Sequence, residues 1–299
     1  MKEISRMKKW GCLVCALALA VAALGGCNGT KTGTSKSSSA DSSGGNKTKV
    51  AIGIGNEFSP FCYLDENEKE TGYDYEVMQA VAKELSGKYT FSFTPDAFAN
   101  LIIGLDTKKY DMVIHHFGYT AERAQKYQYA KVADMYVGNF HIGFKSGRKD
   151  ITDLKSMAGK TVVCTSGSMA ETLILNWNKQ NPNYPLKIQY SSDQDVWHTG
   201  IVNGLYDAIV ASQYDLDTLN KKYGKFLDYS SYNVTPSDYD CGTYFVYSKT
   251  NTQLQEDVDT ALTKLRENGT LTKLSKKWLG GDYTKNPNTQ SSSSTSSGK

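Results

Sequence analysis

The chain has 299 residues, with 34 Lys and Arg against 31 Asp and Glu. The first 26 residues carry four of those cations and one of those acids, which leaves the remainder with no net charge. A balanced surface excludes a charge-driven nucleic-acid partner, and a folded part of about 235 residues suffices for two ordinary domains.

At the N-terminus, Lys2, Arg6, Lys8 and Lys9 precede an apolar run over 10–24 and then Gly25-Gly26-Cys27. Basic, apolar and small segments in that order make an export signal over 1–26, too short for a comfortable membrane span. Residues 27–47 are rich in Ser, Gly, Thr and Lys, and 284–299 are rich in Ser. They are expected as a flexible tether and a disordered tail.

Between them, short apolar runs alternate with amphipathic stretches. Strands are expected at 49–54, 89–93 and 112–115, and helices at 75–85 and 97–106. A second block follows: strands at 161–164, 186–190 and 207–211, helices at 168–178, 193–203 and 215–223. A last strand at 244–247 and helices at 252–268 and 270–278 close the chain. The alternation predicts two α/β lobes with mainly parallel sheets. Lys109-Tyr110-Asp111 and Leu205-Tyr206-Asp207 mark equivalent strand entries in the two blocks. Ligands in such sheets bind beyond the carboxyl ends of the strands.

The stretch 110–123, Y-D-M-V-I-H-H-F-G-Y-T-A-E-R, is the most informative. A strand ends in a polar loop, and Thr120 is placed to cap a helix carrying Glu122 and Arg123 in its first turn. Free backbone N–H groups and a guanidinium there suit a carboxylate. Arg123 is therefore either a carboxylate clamp or a solvated arginine paired with Glu122. His115 and His116, adjacent on a strand, are expected on opposite faces, which argues against joint ligation. Cys62, Cys164 and Cys241 lack C-x-x-C spacing and read as buried small residues, with one disulfide left open.

Leu24-Gly25-Gly26-Cys27 resembles the lipobox of bacterial lipoproteins, in which Cys27 would carry the lipid (palmitate) and anchor the chain to the extracytoplasmic face of the membrane. Over about 49–284 the chain resembles the solute-binding proteins of polar amino-acid ABC transporters. The carriers are Ser59-Pro60-Phe61, Thr71-Gly72-Tyr73-Asp74, Tyr110-Asp111 through Glu122-Arg123, and Ser166-Gly167-Ser168. Asn203-Gly204 through Ala208 and Leu265-Arg266-Glu267-Asn268-Gly269-Thr270 complete the series. The resemblance implies the type II periplasmic-binding fold, two α/β lobes joined by a two-strand hinge. Lobe 1 would comprise 48–135 and 243–283, lobe 2 would comprise 141–238, and the hinge would lie near 136–140 and 239–243. It further implies a monomer without cofactor or metal that captures an amino acid or derivative by closure and delivers it to a membrane permease.

By the same resemblance Arg123 holds the carboxylate, shared with Ser168 and the Met169 N–H. Phe58 packs on the ligand side chain, His116 and Gly118 lend backbone groups, and Thr165 lines the pocket. Phe58 as core and Ser168 as a plain helix cap remain open. Two departures stand out. The aspartates that usually take the ammonium group are replaced by Gly55 and by Ser212, which keeps its place among the expected ligand residues; either Glu57, Asp215 or Asp238 supplies that charge, or the ligand is not a simple α-amino acid. The run from His115 to Tyr127 looks closer to cystine-binding relatives, and Tyr119, Tyr136, Trp197 and Tyr214 would suit a larger aromatic pocket. Enzymes (dehydratases) and sensor domains share the fold, but no nucleophile–base or metal pattern stands out, and the expectation is a binding protein.

Overall fold

A computed structural model describes residues 47–287, apart from Asp238 and Asp240. The signal segment, the tether with Cys27, most of the tail and the candidate acid Asp238 lie outside the described residues. The chain runs β1 (Thr48–Gly55), β2 (Glu57–Phe58), β3 (Cys62–Leu64), β4 (Glu70–Thr71), α1 (Tyr73–Glu84), β5 (Tyr89–Asp96) and α2 (Phe98–Asp106). It continues through β6 (Met112–Gly118), α3 (Ala121–Lys126), β7 (Tyr127–Tyr129) and β8 (Met135–Tyr136). After a first crossing come β9 (Phe140–Lys145), β10 (Thr161–Cys164), α4 (Met169–Gln180), β11 (Lys187–Tyr190), α5 (Gln194–Val202), β12 (Ala208–Ser212), α6 (Gln213–Tyr223) and β13 (Leu227–Tyr229). A second crossing returns to β14 (Gly242–Ser248), α7 (Thr252–Glu267) and α8 (Thr270–Leu279).

Two mixed sheets result, one in each lobe. The first has the order β5-β1-β6-β14-β7, with β8 also on β14, and the second β11-β10-β12-β9-β13. Within each, three neighbouring strands are parallel, as the strand–helix alternation predicts. The sheets are not mainly parallel, however. β14 enters the first and β9 the second as antiparallel strands, because each arrives from the other lobe without a local helical crossover.

The two blocks share a local device. Asp111 and Ala51 exchange two bonds at 2.8 Å, backbone N–H to carbonyl and backbone N–H to carboxylate. Asp207 and Thr161 do the same at 2.8 and 2.9 Å. Each aspartate thereby fixes the register of a parallel pair that has no hairpin to set it. The tyrosine before each lies flat over a helical glycine: a Cβ on Gly104 or Gly200 would fall 2.2 or 2.3 Å from the ring of Tyr110 or Tyr206. The helices pack by their apolar stripes, with Val77, Met78 and Val81 of α1 fully buried. Helix α6 begins at Gln213 rather than Asp215 because Ser212 caps it. Cys62, Cys164 and Cys241 are buried and none of them forms a disulfide, which closes the disulfide alternative.

Candidate functional site

The carboxyl ends of β1, β6, β10 and β12 face one another across the lobes, and a cavity of about 110 Å³ lies there. It is lined from the first lobe by Phe58, His116, Gly118 and Arg123, and from the second by Thr165, Ser168 and Met169. Seven of the eight ligand residues expected from sequence are thus brought together. Ser212, the eighth, is not among the lining residues. It is fully buried, and its hydroxyl accepts the Asp215 N–H at 3.1 Å and donates to Asp215 Oδ2 at 2.6 Å.

Arg123 forms one wall. Its backbone N–H donates to Thr120 Oγ1 at 3.1 Å, the expected cap. Nη1 donates to Gly118 O at 3.1 Å and to the Tyr129 hydroxyl at 2.9 Å, and Nη2 donates to Gly167 O of the opposite lobe. The guanidinium also lies over the Phe117 ring, 5.0 Å from its centre. Of five N–H donors, these bonds use three, and none goes to Glu122. Facing it, Ser168 caps α4 by accepting the Glu171 N–H at 3.2 Å. The Met169 and Ala170 N–H groups, at the first helical positions, have no intrahelical acceptor. A guanidinium beside a helix start is a site for a carboxylate.

Another part of the first-lobe wall is built by a bulge. β14 pairs Tyr244 with Phe117 and Val246 with Val113, so Phe245 alone opposes three residues of β6. His116 takes the left-handed conformation there, φ 48°, and its N–H donates to buried Asp74 at 2.9 Å. This overturns the expectation that adjacent histidines point to opposite faces: both rings meet Phe58, at 5.3 and 5.8 Å between centres, and both line the cavity. Strand alternation holds only while the ladder is regular. Burial pushes His115 down to about 4 and His116 to about 3, so both rings are neutral at ordinary pH.

Asp215 enters from the first turn of α6. Burial pushes its carboxyl up to about 6 against the lowering effect of the Ser212 bonds, and its Oδ1 has no hydrogen-bond partner among the described residues. Glu57 also lines the cavity. The remaining lining is mostly apolar, with Phe98, Phe140, Cys164 and Trp197 among it, and is interrupted by Ser192, Tyr239 and Thr243. Trp197 was expected there, and its ring N–H is held by Ser191 O at 2.9 Å. The three tyrosines expected beside it are absent from the lining. Tyr119 is 46% exposed and packs on Tyr129, Tyr136 lies under Arg266, and Tyr214 is buried between Phe61 and Tyr283. Sequence reasoning missed Phe98 as a lining residue. Its position at the start of a helix that follows a strand was the signal, since such starts gather at the ligand edge.

The model of the bacterial extracellular solute-binding proteins, family 3, matches residues 50–281. The chain belongs to that family. An L-cystine-binding protein of Bacillus subtilis is 35% identical over 272 residues, covering 90% of this chain and 95% of the relative. A Listeria monocytogenes structure assigned to an L-cystine ABC transporter superposes with a TM-score of 0.73 at 30% identity, covering 80% and 99%. A Streptococcus mutans structure from work on glutathione import through a cystine ABC importer gives 0.70 at 30% identity, covering 80% and 97%. The motif resemblance to solute-binding proteins of amino-acid transporters is therefore borne out, as is the two-lobed fold. The family-3 relatives are binding proteins, not enzymes, and this solute-binding protein is one of them.

Proposed function

We propose that this protein captures an amino acid or amino-acid derivative, with L-cystine as first candidate, and presents it to an ABC transporter permease. The observation that carries the reading is Arg123: its guanidinium bonds Gly118 O of one lobe and Gly167 O of the other, with donors to spare. A carboxylate received there by Arg123, Ser168 and the Met169 N–H would favour the closed form, because contacts to both lobes shift the population toward closure. Lobe 1 would comprise 48–135 and 243–283, lobe 2 141–238, turning on 136–140 and 239–243. Two left-handed residues lie in those crossings, Gly138 at φ 80° and Cys241 at φ 62°, and Val137 N–H bonds Cys241 O at 2.8 Å. Cystine is favoured by relatives of that name and by the aromatic, sulfur-lined cavity. Lipid attachment at Cys27 would hold the monomer to the extracytoplasmic face of the membrane.

A thermal-shift and calorimetric screen of L-cystine, glutathione and the twenty amino acids tests this. At least one should raise the melting temperature with occupancy and lose affinity on Arg123→Ala. Binding by none of them, or equal binding to the variant, refutes the reading.

A further inference from the structure

Two buried side chains with unpaired polar atoms meet across the cleft. Asp215 Oδ1, on α6 of the second lobe, lies 3.9 Å from His116 Nε2, on β6 of the first. Among the described residues, neither that oxygen nor either nitrogen of His116 has a hydrogen-bond partner. The side chains are 17% and 8% exposed, and both line the cavity. Burying such atoms unpaired is costly, most of all for a carboxylate. The separation is too long for a direct hydrogen bond and suits a donor placed between them. A nitrogen about 2.8 Å from each would see the two acceptors at an angle of about 90°, near the spread of N–H bonds in a primary ammonium group.

The surroundings supply no other cation. Phe61 and Phe58 pack at a tilt against the His116 ring, 3.9 and 5.8 Å between centres, and the Ser212 hydroxyl is committed to Asp215 Oδ2. Arg123 is held by Gly118, Tyr129 and Gly167. The other ionisable groups lining the cavity among the described residues are His115, which burial keeps neutral, Glu57, the Tyr239 hydroxyl, and the Cys164 thiol, which burial pushes up to about 12.

We propose that Asp215 and His116 form one ammonium subsite shared by the two lobes, in which a primary ammonium donates to the carboxylate and to the imidazole at once. It rests on the amino-acid reading above and narrows it: the ligand class is one with a free primary ammonium, so deaminated and N-acylated relatives are rejected. The subsite also accounts for the loss of carboxylates at positions 55 and 212, since their task passes to a residue one helical turn further on and to a neutral base from the facing lobe.

The test compares L-cystine with 3,3′-dithiodipropionate, which keeps the disulfide and both carboxylates but lacks the ammonium groups. If another member of the screen binds more tightly than cystine, it is compared with its N-acetyl form. Affinities are measured by calorimetry on the full-length protein and on Asp215→Asn, His116→Gln and Glu57→Gln. The unaltered protein should prefer the ammonium probe by roughly 10- to 100-fold. Asp215→Asn should bring the preference to within about 3-fold, His116→Gln should reduce it partly, and Glu57→Gln should leave it unchanged. The preference is a ratio for one protein sample, so partial misfolding does not alter it, and His116→Gln decides if Asp215→Asn fails to fold. An undiminished preference in Asp215→Asn or His116→Gln overturns the subsite, as does equal weakening of both probes or a preference carried by Glu57. Those results leave the amino-acid reading standing while Arg123→Ala still abolishes binding. Absence of any ammonium ligand for the unaltered protein refutes both.

Discussion

Asp134→Asn should remove the part of the pH dependence of stability that buried Asp134 creates. Asp134, just before β8, accepts the Thr243 hydroxyl at 2.8 Å on Oδ1, and fully buried Asp74 accepts the His116 N–H on Oδ2. Among the described residues, Asp134 Oδ2 and Asp74 Oδ1 have no hydrogen-bond partner. Burial pushes the Asp134 carboxyl up to about 7 from 3.8, and burial together with Asp134 drives Asp74 upward as well. The folded protein therefore keeps a proton that the unfolded chain releases. That contribution is full below pH 4 and is lost as pH rises toward 7. At about 1.4 kcal/mol per pH unit, Asp134 costs about 3 kcal/mol between pH 5 and pH 8.

His115 and His116 act in the opposite direction. Their folded values of about 4 and 3 lie below the ordinary 6.5. Their contribution is complete above pH 6.5 and lost on acidification, so the total curve hides the acid pair. Subtraction isolates the Asp134 contribution, because asparagine mimics the protonated acid and leaves the histidines alone. Urea denaturation followed by tryptophan fluorescence at pH 5, 6, 7 and 8 should show the stability difference, unaltered protein minus variant, falling by about 3 kcal/mol. A difference constant with pH would refute the raised Asp134 carboxyl.

Arg123→Lys should keep the charge but not the bonds to Gly118 O and the Tyr129 hydroxyl in one plane, weakening carboxylate ligands about 10-fold in calorimetry. Phe58→Ala removes a half-buried ring stacked on His115 and Phe61; a loss of about 2 kcal/mol in denaturation and weaker binding together are expected, and unchanged affinity would show that Phe58 is core alone. Gly200→Ala places a methyl 2.3 Å from the Tyr206 ring, so α5 must shift. The melting temperature should fall by about 5 °C, and an unchanged melt would show that α5 moves freely.

Much of the fold was legible because its signals are local. Apolar periodicity located the main helices and the parallel strands, Thr120 and Ser168 cap the helices expected of them, and the paired Tyr-Asp entries occupy equivalent places in the two sheets. The antiparallel members β7, β8, β9 and β13 gave little signal, being short and stabilised by partners distant in sequence.

The site divides along the same line. The residue order alone determined the strand-end location of Arg123, Thr165 and Ser168, because a helix start is fixed by the few residues around it. Only the tertiary structure decided which way His116, Ser212 and Asp215 serve. His116 turns into the cavity because β14, more than a hundred residues away, pairs with β6 across a bulge. Ser212 spends its hydroxyl on capping α6, and the first turn of that helix carries Asp215 to the cavity wall while Tyr214 turns into the core. Side-chain direction follows a local period only while the backbone is regular, and here the breaks are set by register between distant strands.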